Sequence, residues 1–113
     1  MAKVEIIDSL AKKIKKKFKQ ESHKIVKLLR TLEENPKKGK TLGTVGEIII
    51  KELKYKSFRF YFITDGFKIK VLGIDELNDL LIRFVRMSDK KHQQKTIDEI
   101  KKILRTIGAE GFL

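Results

Sequence analysis

Apolar positions along this chain recur with two different periods. Lys3 to Ile7 alternates loosely and predicts a short first strand. Leu10, Ile14 and Phe18 then recur every four residues, with Lys12, Lys13, Lys15, Lys16, Lys17 and Lys19 among the positions between and after them. That spacing predicts a helix with one apolar stripe and a densely cationic outer face. Asp8 or Ser9 offers a side-chain oxygen to cap its first turn. A second helix is predicted from about Ser22, where Ile25, Leu28, Leu29 and Leu32 share one face. Asn35-Pro36 ends it, because proline disfavours helical geometry in the residue before it. Two amphipathic helices with so short a link predict an antiparallel helical hairpin.

Pro36 to Gly46 (PKKGKTLGTVG) holds three glycines and reads as a loop. From Glu47 to Lys54 the pattern is that of a strand, with three consecutive isoleucines. Phe58 to Thr64 follows, then Asp65-Gly66, then Phe67 to Leu72. Asp-Gly between two alternating runs predicts a hairpin turn. Pairing Thr64 with Phe67 would set Phe62 opposite Ile69 and Phe60 opposite Val71 on the core face. Arg59, Tyr61 and Ile63 would then share an open face with Leu72, Lys70 and Lys68. Ile74 to Asp79 is acidic and turn-like, and Leu80 to Met87 predicts a last strand burying Leu80, Ile82 and Phe84.

A final helix is predicted to open on the capping box Thr96-Ile97-Asp98-Glu99 and to stop at Gly108. The expected order is β-α-α-β-β-β-β-α. This is an α+β fold, a single domain over residues 1–113, with an N-terminal helical hairpin packed on a twisted antiparallel sheet.

Composition narrows the function. The 113 residues carry 27 Lys plus Arg against 15 Asp plus Glu, a formal charge of +12. Residues 1–40 alone hold 13 basic against 5 acidic side chains. Such a surface suits a polyanionic partner, although a lysine-rich surface also arises from composition alone. Without cysteine there are no disulfides, zinc-thiolate sites or thiol chemistry. No run approaches the length of a membrane span and no secretory signal is visible, so a soluble, cytoplasmic protein without membrane partners is expected.

No phosphate-binding loop, dinucleotide fingerprint, HExxH or nucleophile elbow occurs. His23 and His92 lack metal-site spacing. His23 opens a helix and reads as a surface side chain. His92 lies in the polar, basic stretch Arg86 to Lys95, where an imidazole suits proton transfer; the alternative is a solvated loop residue. Arg59 is one of five arginines among 22 lysines. On an open face beside Tyr61 and Lys70 it could grip a phosphate with two parallel hydrogen bonds while an aromatic ring stacks a nucleotide. Removing an exposed arginine would change stability little.

Several of these motifs together resemble the RelE/ParE toxin superfamily. They are the helical hairpin ending in Glu-Asn-Pro, the Gly39-Lys40-Thr41-Leu42-Gly43 loop, Glu52-Leu53-Lys54, Phe58-Arg59-Phe60-Tyr61-Phe62, Asp65-Gly66, and Phe84-Val85-Arg86 before Lys90-Lys91 and a helix. The likeness spans nearly the whole chain and is nearest to the phage-derived HigB-like mRNA interferases. It implies the toxin of a toxin–antitoxin pair, a ribosome-dependent and metal-independent mRNA endoribonuclease without cofactors. A small antitoxin and mRNA on the ribosome would be its partners. The matched positions imply that Arg59 holds the scissile phosphate, Lys54 and Lys90 support it, and His92 moves a proton. RNA would be contacted by Lys12, Lys13, Lys16, Lys40, Tyr61, Lys70, Arg83, Arg86 and Lys91. The chain departs from the family in having no tyrosine after Tyr61, Glu52 where some members have lysine, and an apparent insertion over 74–80. A ParE-like gyrase inhibitor and a non-catalytic RNA- or protein-binding module are the rival readings.

Overall fold

The computed structural model describes residues 1–112. Strand β1 (Lys3–Ile6) leads into helices α1 (Asp8–Phe18) and α2 (Ser22–Arg30), followed by strands β2 (Lys40–Val45), β3 (Ile48–Tyr55) and β4 (Phe58–Asp65). A short helix α3 (Gly66–Val71), strand β5 (Leu81–Asp89) and helix α4 (Gln93–Thr106) complete the regular structure. The fold is α+β. Its five strands form one sheet in the order β1-β5-β4-β3-β2.

The two faces of the sheet follow from the alternation in β4. Phe60 and Phe62 are fully buried on one face, where Phe18 at the end of α1 meets Phe58 edge-on at 5.1 Å. Leu10 and Ile14 of α1 and Ile25 and Leu29 of α2 complete this core. Truncating any of the buried phenylalanines to alanine should cost about 3–5 kcal/mol. The opposite face is covered by α4, whose stripe Ile97, Ile100 and Leu104 is buried. Contacts from Gln93 to Glu52 and from Glu99 to Arg86 lay this helix across β5 and β3.

Several expectations about local structure are corrected. First, residues 66–71 are helical rather than the second arm of a hairpin at Asp65-Gly66. Both edges of β4 are already taken, by β3 and β5, so the following segment has no edge to pair with. The Asp65 carboxylate instead accepts the Lys68 N–H at 3.0 Å and caps α3. Phe62 therefore faces Lys51 and Phe84, not Ile69, and Phe60 faces Leu53 and Met87, not Val71.

Second, the glycine-rich stretch read as a loop contains β2, and Gly46 (φ +59°) lies in the tight connection to β3. The β3–β4 hairpin turns at Lys56-Ser57, with Lys56 left-handed at φ +54°. Third, the sheet is mixed, because β1 runs parallel to β5. Fourth, α4 begins at Gln93, so Thr96 lies inside it and its hydroxyl donates to the His92 carbonyl; there is no capping box. Neither Asp8 nor Ser9 caps α1, whose N-cap is Ile7.

Gly39 is required where it stands. Its φ of +106° favours glycine, and a β-carbon there would sit 2.9 Å from the Phe62 ring.

Candidate nucleic-acid interface

The ends of β3 and β5 and the starts of β4 and α4 meet at one corner of the sheet. The turn after Tyr55 brings β4 back beside β3, so Lys54, Arg59 and Ser88 form one row across three strands. Lys40, Glu52, Tyr61 and Arg86 form the next row on the same face. Sequence reasoning placed Arg59 and His92 at the functional site, and the fold does bring them to the same corner. It also buries one of them.

Arg59 is not on an open face. Its side chain is 10% exposed and lies against Glu52, 9% exposed, with Nε 3.9 Å from Oε2. The Nε–H makes no hydrogen bond, and Nη1 donates only a long contact to the Ser57 carbonyl at 3.4 Å. Gln93 at the start of α4 donates to the same Glu52 oxygen. Tyr61, expected as an exposed stacking ring, is fully buried. Ser88 donates its single proton to the Asp89 carbonyl, so the Tyr61 hydroxyl is the donor in their 2.7 Å contact. Burial pushes the Tyr61 phenol up, against the lowering effect of the Ser88 hydrogen bond.

Other expected residues are engaged in holding the fold. Arg83 pairs with Glu5 at 3.0 Å, and Arg86 pairs with Glu99 at 2.6 Å while its guanidinium lies 5.1 Å from the Phe112 ring. Lys70 is carried away from Arg59 by α3, at the far end of β4. Lys12, Lys13, Lys16, Lys40, Lys54, Lys90 and Lys91 are exposed.

At this corner a cleft of about 590 Å³ lies open between α1 and the end of β5. Lys13, Lys16 and Lys17 form one wall, and Phe58, Met87, Ser88, Asp89, His92 and Thr96 the other. His92 is ordered by Asp89, whose Oδ1 accepts from the backbone N–H at 2.9 Å and stands 2.8 Å from Nδ1. These bonds hold the Asp89 carboxyl below its ordinary value, the His92 ring bond contributing most. An ionised carboxylate only accepts, so Nδ1 carries the proton and Nε2 is left with its lone pair in the neutral ring. The cleft thus combines an oriented imidazole with three ammonium groups and a partly buried aromatic ring.

Sequence reasoning missed Asp89, Lys17 and Phe58 as site residues. The Asp-x-x-His spacing was visible, but its meaning depends on the turn that folds residue 92 back over residue 89. Among the described residues no cluster of three or more His, Asp or Glu side chains is placed to hold a metal ion. No described helix is long and apolar enough to cross a membrane. In comparisons with protein-family models, curated proteins and solved structures, nothing matches this chain.

Proposed function

We propose that the protein is an mRNA endoribonuclease of the RelE-like toxin kind, acting on single-stranded RNA in the cleft between α1 and β5. The reading is supported chiefly by the Asp89-oriented His92 standing opposite Lys13, Lys16 and Lys17. An RNA backbone supplies its own nucleophile. Attack of a ribose 2′-oxygen on the adjacent phosphorus forms a 2′,3′-cyclic phosphate and breaks the bond to the 5′-oxygen. His92 Nε2 takes the 2′-hydroxyl proton, and the leaving oxygen is protonated from His92 or water. The lysine ammonium groups stabilise the charge that builds on the phosphorane oxygens. Arg59, enclosed against Glu52 in this conformation, leaves that stabilisation to the lysines. A small antitoxin with an acidic segment would complement the same cationic wall.

The test is cleavage of mRNA by the purified protein with ribosomes, with the ends mapped and their chemistry determined. Cyclic phosphate and 5′-hydroxyl ends are expected. The His92→Gln variant should cut about 100- to 10,000-fold more slowly while binding RNA equally well. Intact mRNA accompanied by gyrase-dependent DNA breaks would replace this reading with the ParE-like one.

A further inference from the structure

Phe58 occupies a position that the core does not fully use. It is the first residue of β4 and shares the face of Phe60 and Phe62, but only those two are fully buried. Its ring stands perpendicular to that of Phe18, with centroids 5.1 Å apart and an interplanar angle of 89°. Lys17 Nζ stands 4.9 Å from its centroid, and Lys17 is an exposed side chain. Met87 continues the same apolar floor, and the floor opens into the cleft that holds His92. A volume of about 590 Å³ is ample for a nucleotide.

We infer that Phe58 is the base-stacking platform of the cleft and that Lys17 occupies its ring face only until a nucleobase takes that place. The inference rests on the RNA reading above and identifies the residue that binds the base rather than the phosphate. Stacking a base on an aromatic ring is a stronger attraction than an exposed cation–π contact, so the exchange is downhill. The displaced Lys17 does not lose its partner. Its ammonium can swing to the phosphate of the same nucleotide, joining Lys13 and Lys16 on the α1 wall. Phe18, packed perpendicular to the ring at 5.1 Å, keeps Phe58 from turning into solvent. Because stacking tolerates every base, the platform contributes affinity and positioning near His92 without selecting a sequence.

Two probes of equal length separate base from backbone: 2′-O-methyl oligoadenylate, which cannot be cleaved, and the corresponding abasic oligomer. The parent protein should bind the oligoadenylate about 5- to 150-fold more tightly than the abasic strand. The Phe58→Leu variant, checked for folding by thermal melting, should lose that preference while keeping the same salt dependence for both probes. Lys17→Gln should instead reduce the salt slope by about 0.7, the share of one phosphate contact on a single strand, and keep the preference for bases. A folded Phe58→Leu that still prefers oligoadenylate overturns the platform and leaves the RNA reading intact. If neither probe binds in a salt-dependent way, both fall. Should Phe58→Leu not fold, equal binding of the two probes by the parent protein alone would overturn the inference.

Discussion

Replacing Arg59 by methionine should destabilise the protein by about 3 kcal/mol, although the resemblance gives this residue the role of holding a phosphate. The guanidinium and the Glu52 carboxylate are 10% and 9% exposed and 3.9 Å apart. At an effective dielectric of about 20, unit charges at such a distance attract by about 4 kcal/mol. Breaking a buried pair by removing one partner costs roughly 3–5 kcal/mol, because the other charge stays behind without compensation. Here Gln93 still donates to Glu52, at 3.3 Å, which places the expected cost at the low end. In a domain of this size about 3 kcal/mol corresponds to a fall in Tm of roughly 10–15 °C. Urea titration of the parent, Arg59→Met, Glu52→Leu and the double variant forms a thermodynamic cycle. The double variant should recover most of the loss, since an apolar pair of similar volume often matches a buried ion pair. A change within about 0.5 kcal/mol for Arg59→Met, with no coupling to Glu52, is the behaviour of a solvent-exposed arginine and would refute the enclosed-pair argument.

Tyr61→Phe should cost about 1 kcal/mol by chemical denaturation, because it removes one buried hydrogen bond to Ser88 and leaves no cavity. Lys51 is 3% exposed with its Nζ donating to the Lys37 carbonyl, and burial lowers its pKa below the ordinary lysine value. The unfolded chain therefore binds that proton more tightly, so stability should rise with pH between the folded and unfolded pKa values; Lys51→Met should abolish that rise in denaturation curves taken across alkaline pH. The Asp89 pKa is also lowered, which for a carboxyl favours the charged form: its contribution is present above the unfolded carboxylate pKa and is lost as pH falls through the lower folded one. Melts of Asp89→Asn should accordingly show a shallower acid limb than the parent. Gly39→Ala should lower stability by at least about 1 kcal/mol, since it adds backbone strain and a 2.9 Å contact with Phe62.

The candidate site was legible in part. His92 and the α1 lysines stand out in the sequence because a helical period leaves all those ammonium groups on one outer face, whatever the helix packs against. Arg59 also stands out, but its environment does not. Alternation puts Arg59 and Tyr61 on the face opposite Phe60, and it holds whether that face meets water or another helix. Helical spacing puts Ile97, Ile100, Ile103, Leu104 and Ile107 on one stripe of α4, of which Ile97, Ile100 and Leu104 are buried and Ile107 is exposed; that the helix closes over Glu52 and Arg86 is a tertiary outcome. The same alternation puts Phe58 on the core face with Phe60 and Phe62. Its ring is partly open because β4 begins where the cover of α1 ends at Phe18.

Local chemistry by itself determined the helices α1, α2 and α4, the strand character of β1, β3, β4 and β5, the Phe60/Phe62 core face and the cationic outer surface. Those features depend on periods of 3.6 and 2 residues and on charge, all carried by neighbours in sequence. Only the tertiary structure decided what Asp65-Gly66 does. The dipeptide suits both a hairpin turn and a helix start, and the choice fell to the helix because β3 and β5 already occupy both edges of β4. Strand β2 is likewise decided by its pairing with β3: Thr41, Thr44 and Val45 suit a strand, but Gly39, Gly43 and Gly46 give the stretch the local signature of a loop. The parallel pairing of β1 with β5 joins residues some 78 positions apart, beyond any local pattern. The same long-range closure encloses Arg59 and leaves His92 beside the lysines, because burial is a property of what arrives from elsewhere in the chain.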